Sequence, residues 1–500
     1  MARLVGAAAP ASSIAVSGIT ADSRAVMPGW LYVGLPGLRT HGARFALQAE
    51  GLGAVAVLTD PDGAAHASDV GLPVLVVDDL RAAMAKASAA IFGRPSERLA
   101  MLGVTGTNGK TTTVALLHAG LAAAGRTAGT IGTIGFRLGA EPLVSSRSTV
   151  TTPDSPDLQA LLAVMAERGA DAVALEVSSH ALAQQRVDAI AFDVVAFLNL
   201  GRDHLDFHRD LEVYFEAKAR LFEPDRSEAA VVWVDDPAGR TVADRIRAVG
   251  RPRLITAGTG ADVDYRLGEV WESGRMGTAA EVFVRDERVE LTIALPGRYN
   301  MIDAVVALAM LEAVGVARGD ALRGLSGAQV PGRMETVALD GDDAPLVVVD
   351  FAHTPQAVTA ALQALKGPGR LIAVLGCGGD RDADKRPLMG SAAASLADVV
   401  IVTDDNPRSE PPEAIRAEIL EGARETAETS GAAVHDVVGR GAAIRCALEQ
   451  ADGRTVVAVL GKGHERGQIL ADRIVDFDDR VEVRKAWREL SESRSHGGRG

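Results

Sequence analysis

Gly103-Val-Thr-Gly-Thr-Asn-Gly-Lys-Thr111 follows the apolar run Leu99–Val104 and opens a helical stretch whose apolar residues include Val114, Leu117 and Leu121. A buried strand, a glycine-rich turn and a helix start, in that order, form the context of a phosphate loop. Glycines let backbone N–H groups turn toward an anion, and the helix N-terminus adds the positive end of its dipole. Lys110 supplies a point charge, and the Thr111 hydroxyl can ligate Mg²⁺. The strict spacing G-x-x-x-x-G-K-[ST] fails by one residue, because Val104 stands in the first glycine position. The plainer reading is a glycine-rich turn with no ligand. The register of strand, Gly-Lys-Thr and helix argues against it. ATP is the expected nucleotide, although the loop alone does not separate ATP from GTP.

Outward from this loop, apolar runs alternate with helical stretches. Ala172–Val177, Val194–Leu198 and Ala229–Val234 are apolar enough for parallel strands covered on both faces. Between Val263 and Leu295 the pattern changes to alternation without helices, which predicts an antiparallel flap, and Asn300 then reads as the N-cap of a helix through Glu312. Upstream, Trp30–Val33, Ala54–Leu58 and Val74–Val77 predict a small α/β unit that ends in the polar stretch Gly93–Arg98. Downstream, after a break at Gly327–Gly332, Leu346–Asp350, Leu371–Leu375, Val399–Thr403 and Val456–Leu460 predict another strand series. The expected architecture is α/β in three domains, at 1–98, 99–331 and 332–490, with a flexible tail at 491–500.

A chain of 500 residues with 47% apolar composition has room for several buried cores. Its net charge of −14 disfavours nonspecific binding to nucleic acid or an anionic membrane. Two cysteines, Cys377 and Cys446, make neither a disulfide framework nor a zinc cluster. No signal pattern stands at the N-terminus and no apolar run of about 20 residues could span a bilayer. The expectation is a cytoplasmic protein without nucleic-acid or membrane partners. Lysine is scarce, occurring only at 86, 110, 218, 366, 385, 462 and 485. An arginine-biased chain that still carries lysine points to places needing an ammonium or a modifiable amine.

Gly106-Thr-Asn-Gly-Lys-Thr111 resembles the ATP loop of the Mur ligases, cytoplasmic ATP-dependent amino-acid ligases that build the peptidoglycan stem peptide. The resemblance covers nearly the whole chain and is strongest to the diaminopimelate-adding members. It implies a domain for the UDP-linked substrate, a central P-loop-type ATPase with a mostly parallel sheet, and a C-terminal Rossmann-like domain. The implied reaction joins meso-2,6-diaminopimelate to UDP-N-acetylmuramoyl-L-alanyl-D-glutamate through an acyl phosphate. ATP is the co-substrate and Mg²⁺ the metal, in a monomer serving cell-wall synthesis and hence cell shape and division.

Residue by residue, Gly106, Thr107, Asn108, Gly109, Lys110, Thr111 and Thr112 match the ATP loop. Asn300 in Pro296-Gly-Arg-Tyr-Asn300, Arg333 in Pro331-Gly-Arg-Met-Glu335, and Asp350 and His353 in Asp350-Phe-Ala-His-Thr-Pro355 match further nucleotide contacts. The plainer readings are an N-cap for Asn300 and an ion pair of Arg333 with Glu335. Glu176, at a strand's carboxyl end, and His204, in Asn199-Leu-Gly-Arg-Asp-His-Leu-Asp206, are the implied metal-site residues with Thr111. Asp203 and Asp206 compete with His204. An ammonium at Lys218 would repel Mg²⁺, and on its own Lys218 reads as a surface partner of Glu216 or Asp225. The resemblance instead implies a carbamate on Lys218, formed with CO₂.

Ser23, Thr40, His41 and Gly42 match contacts to the UDP-linked substrate, as do Thr151, Thr152, Ser178, Gln184 and Arg186 around its peptide. For the incoming amino acid, Asp405-Asn406-Pro407-Arg408 matches the diaminopimelate tetrad, with Arg381, Gly461 and Glu465 in neighbouring loops. Arg408 and Arg381 would clamp the distal carboxylate and Glu465 would accept the ammonium, whereas lysine would leave an arginine unpaired. A surface pair of Arg408 with Glu410 is the alternative. At the level of activity the alternatives are a lysine-adding ligase, a folylpolyglutamate synthetase-like ligase, and an ATP-driven switch that joins nothing.

Overall fold

Residues 2–8, 14–37, 39–143, 150–203, 207–274, 276–341 and 343–497 are described in a computed structural model, the last four by their backbone alone. Strand Ala100–Thr105 lies in an eleven-stranded sheet between Phe192–Phe197 and Ala172–Glu176, parallel to both. Ala128–Gly132 continues the parallel part on one side, Ser227–Trp233 and Arg253–Gly258 on the other. These strands are continuous apolar runs because both faces are covered. On one face Leu102, Val104, Ala174, Val194 and Ala196 pack with Leu117 and Leu121 of the helix Lys110–Ala123. On the other, Met101, Val173, Leu175, Val195 and Phe197 pack with Leu158 and Leu162 of the helix Ser155–Glu167. The chain leaves Ala100–Thr105 in both directions, so a crevice opens at the carboxyl ends of these strands.

The expected flap consists of Tyr265–Ser273, Gly277–Val284 and Glu287–Ile293, antiparallel to one another at the sheet edge. The helix after it differs from expectation. It runs Arg298–Ala313 with Gly297 as its N-cap, so Asn300 is inside its first turn and donates to Pro296 O at 2.7 Å. Met301 and the run Ala304–Leu311 are buried on every side, between the central sheet and the helices Lys110–Ala123 and Arg318–Gly327. Burial of the whole helix, and not the capping preference of asparagine, sets where it begins.

The first domain is a parallel sheet in the order Gly18–Thr20, Trp30–Gly34, Ala56–Thr59, Val74–Val76. In the third domain the order is Glu335–Val337, Leu346–Asp350, Val456–Leu460, Leu371–Leu375, Val399–Val402, Ala433–Asp436, parallel except for its first strand. The last helix, Asp479–Gly497, extends through most of the segment expected to be a tail. No helix among the described residues is long and apolar enough to cross a membrane.

Candidate functional site

The expected phosphate loop is tied down by hydrogen bonds within the protein. Gly109 caps the helix with φ +89°, and a Cβ there would run into the carboxylate of Asp303. Both the backbone angle and the space therefore require glycine. Gly201 N donates to the Thr107 hydroxyl at 2.8 Å, and Asn108 N donates to Asn199 Oδ1 at 2.9 Å. Lys110 Nζ donates to Gly106 O at 2.8 Å and Thr107 O at 2.9 Å. Burial pulls the Lys110 pKa below the usual lysine range, which Glu176 and Asp203 oppose. Thr111 accepts from Arg333 Nη2 at 3.2 Å, a bond from the third domain to the loop.

Glu176, 1% exposed at the end of its strand, accepts from Thr133 N at 2.9 Å and from the Thr133 hydroxyl at 3.0 Å. Thr152 donates to Glu176 O at 2.7 Å and accepts from Ser178 N at 3.1 Å, while the Thr151 and Thr133 hydroxyls meet at 3.1 Å. Arg186 donates to Thr152 O at 2.7 Å and to Gln184 Oε1 at 2.8 Å, and pairs with Asp154 at 2.8 Å. Lys218 is 1% exposed, with Nζ donating to Gly106 O at 2.9 Å and lying 4.5 Å from the Tyr214 ring centroid. It is no surface ion-pair partner, and Glu216 pairs instead with Arg245. Burial first, and then the charge of Lys110, lower the Lys218 pKa well below the usual lysine range. His204 and its competitor Asp206 lie outside the described residues. Asp203 is described, buried 3.8 Å from Lys385 Nζ and 3.8 Å from His353 Nε2.

Four loops of the third domain meet this edge with the carboxyl ends of their own strands. Arg333 lies 4.3 Å from the Phe351 ring centroid, and Glu335 pairs not with it but with Arg480 at 3.1 Å. Asp350 accepts from Met334 N and Ala352 N, both at 2.8 Å, and so joins the Arg333 turn to the His353 loop. Burial raises the Asp350 pKa, an effect Arg333 opposes. Arg408, at φ +51°, donates to Gly379 O at 2.8 Å. The alternative partner Glu410 is engaged by Arg386 at 2.9 Å. Arg381 donates only to Asp380 O, at 3.3 Å, among the described residues. Asn406 Nδ2 donates to Glu465 Oε2 at 2.8 Å, and Asp405 lies 3.7 Å from Arg440.

One cleft of about 870 Å³ is lined by Lys110, Thr111, Thr112, Thr151, Thr152, Glu176, Ser178, Arg186, Lys218, Asn300, Arg333, Asp350, His353, Arg381, Arg408, Gly461 and Glu465. Gly106, Gln184 and Pro407 are not part of this lining. Gln184 instead meets the first domain, where its carbonyl accepts from Arg81 at 3.5 Å. Ser23, Thr40, His41 and Gly42 also lie outside the cleft. There Ser23 donates to Gln48 at 3.1 Å, His41 contacts Asp60 at 3.0 Å and caps the turn beginning at Gly42, and Thr40 O accepts from Gly37 N at 3.2 Å. Sequence reasoning missed Thr133, Tyr214, Asp303, Lys385 and Lys462. For the two lysines the scarcity of lysine was a usable signal.

Among the described residues, no group of three or more His, Cys, Asp and Glu is placed to hold a metal by itself. Glu176 and the Thr111 hydroxyl line the cleft beside the phosphate loop as oxygen donors. That fits Mg²⁺, which takes one or two protein oxygens together with substrate phosphates and water.

Residues 15–91 match the model of the Mur ligase family catalytic domain, 104–311 the Mur ligase middle domain, and 332–463 the Mur ligase glutamate ligase domain. A UDP-N-acetylmuramoyl-L-alanyl-D-glutamate–2,6-diaminopimelate ligase of Streptomyces avermitilis is 47% identical over 492 residues, 97% of this chain and 95% of its own. One from Corynebacterium efficiens is 43% identical, over 98% of this chain and 94% of its own. A solved structure of a ligase with the same name superposes with a TM-score of 0.67 at 32% identity, over 95% of each chain.

Proposed function

Because this chain belongs to the Mur ligase family, we propose that its cleft joins meso-2,6-diaminopimelate to UDP-N-acetylmuramoyl-L-alanyl-D-glutamate at the expense of ATP, in peptidoglycan precursor synthesis. The observation that carries this reading is the convergence, in one cleft, of a glycine-rich loop with a glutamate and two arginines that form no ion pair among the described residues.

ATP lies along Gly106–Thr112, with Asn300, Arg333, Asp350 and His353 closing over it from the helix start and the third domain. Mg²⁺, when bound, neutralises phosphate charge, with Thr111 and Glu176 as its protein donors and His204 and Lys218 in support. The γ-carboxylate of the acceptor's D-glutamate attacks the γ-phosphorus and ADP leaves. Lys110 opposes the negative charge that spreads over the phosphoryl oxygens. The acceptor is held by Thr151, Thr152, Ser178 and Arg186 beside Glu176, with Gln184 and the first-domain residues Ser23, Thr40, His41 and Gly42 toward its UDP end. The amine of diaminopimelate, having lost a proton, attacks the acyl phosphate carbon, and the tetrahedral intermediate expels phosphate. Arg381, Arg408 and Glu465, with Asp405, Asn406, Pro407 and Gly461 shaping the loops, orient the far end of the amino acid.

Lys218 is read as a carbamate. Its burial and the neighbouring Lys110 favour the neutral amine, whose nitrogen lone pair is what adds to CO₂. Loss of the N–H proton then leaves an anion where an ammonium would repel a metal. An ADP-release assay tests the whole reading. Turnover should require the muramoyl-dipeptide and diaminopimelate together and fall away with lysine. ATP hydrolysis indifferent to both would identify a switch.

A further inference from the structure

Lys462 is fully buried, and its three ammonium protons are all engaged. Nζ donates to Asn406 Oδ1 at 3.1 Å, Glu465 Oε2 at 2.8 Å and Gly467 O at 2.7 Å. It therefore has no donor left for a ligand and acts only through its neighbours. Asn406 Oδ1 also accepts from Ile469 N at 2.9 Å, which fixes its amide so that Nδ2 faces Glu465 Oε2 at 2.8 Å. Two donors thus occupy Oε2 of Glu465. Oε1 has no hydrogen-bond partner among the described residues, and Glu465 lines the cleft.

We propose that Lys462 is a positioning residue for recognition of the amino acid's distal ammonium, holding Glu465 and Asn406 so that one carboxylate oxygen faces the cleft. This rests on the ligase reading above and deepens it. A flexible glutamate would lose rotamer freedom on binding, and one fixed beforehand does not. With Oε2 held by Lys462 and Asn406, Oε1 is left to accept from a cationic group that the ligand itself brings. The carboxylate end is read separately, by Arg381 and Arg408.

The test compares diaminopimelate with 2-aminopimelate, which keeps the distal carboxylate and lacks the distal amine. Lys462→Met should raise the KM for diaminopimelate roughly 10- to 100-fold, the range for losing a hydrogen bond to a charged group. KM for ATP should hold, and the constant for 2-aminopimelate (KM, or Ki where it is not turned over) should change by less than about threefold. In a Glu465→Gln background the same substitution should add little. Equal losses for the two amino acids would assign Lys462 a purely structural role, and no loss for either would remove its role altogether; each overturns the proposal. If Lys462→Met does not fold, Lys462→Gln is read by the same ratio. Failure of the unmutated enzyme to join diaminopimelate would sink the ligase reading, and this proposal with it.

Discussion

Lys110 donates to two carbonyls of its own loop. A nucleotide phosphate would replace those partners with a full negative charge. Lys110→Ala should therefore abolish ligation while Tm changes little, because the side chain supports no apolar core; near-normal turnover by the folded variant would remove the phosphate-loop assignment. Lys218 differs, since its side-chain nitrogen is buried against a carbonyl and a tyrosine ring. Lys218→Ala should be inactive and partly restored by small carboxylates, and labelled CO₂ should give a carbamate carbon signal in the wild type that the variant lacks. Arg408 donates to backbone carbonyls and pairs with no carboxylate among the described residues. Removing one side of a desolvated charge pair costs about 2–5 kcal/mol. Arg408→Ala should thus raise the KM for diaminopimelate by orders of magnitude and leave those for ATP and the muramoyl-dipeptide nearly unchanged. The motifs around these residues were legible in the sequence, but their partners were not. Glu335, Glu410 and Glu216 were each the nearest plausible carboxylate along the chain, and each is taken by an arginine from elsewhere.

Among elements, the strands were read closely because burial on both faces writes an unbroken apolar run. Leu346–Asp350, Leu371–Leu375 and Val456–Leu460 have the expected ends. Helix starts were harder. At Asn300 a local preference pointed to a cap, whereas packing of the whole Arg298–Ala313 helix placed the cap three residues earlier, at Gly297. That helix also brings Asp303 against the phosphate loop, where no local pattern announces it. Gly109→Ala should be costly on two counts, a left-handed backbone angle and a collision with a buried carboxylate. An expected loss of roughly 1–3 kcal/mol, with ATP affinity falling alongside, can be read from denaturant unfolding and nucleotide titration. Unchanged stability would mean that the Asp303 carboxylate has room to move aside.

Across the whole molecule, the central and third domains face each other through their strand ends, and among the contacts that tie them three stand out. Arg333 reaches Thr111, Arg202 pairs with Asp384 at 2.8 Å, and His464 Nε2 lies 3.1 Å from Thr133 O. The last contact requires a ring that donates from Nε2. Burial, with Arg333 adding to it, lowers the His464 pKa from the ordinary 6.5 to about 4. Between pH 6.5 and 4 the unfolded chain therefore binds a proton that the folded imidazole does not. Stability from this site is complete above pH 6.5 and is lost as the pH falls toward 4. His464→Gln, which keeps a donor but cannot titrate, should show a shallower loss of Tm over that interval. Parallel Tm profiles would assign the acid sensitivity to other groups.

The sequence alone determined the α/β class, the expectation of a phosphate loop and the resemblance to an amino-acid ligase. Each is carried by residues close along the chain, in a run, a turn or a tetrad whose chemistry is local. Tertiary structure decided what those groups face. It set four of the seven lysines, Lys110, Lys218, Lys385 and Lys462, in or behind one cleft, and it withdrew Lys462 from any ligand by surrounding it with three acceptors. Burial and the pairing of charges depend on which elements meet, and residues as far apart as Thr111 and Arg333, or Thr133 and His464, meet only when two sheets turn their carboxyl ends toward each other.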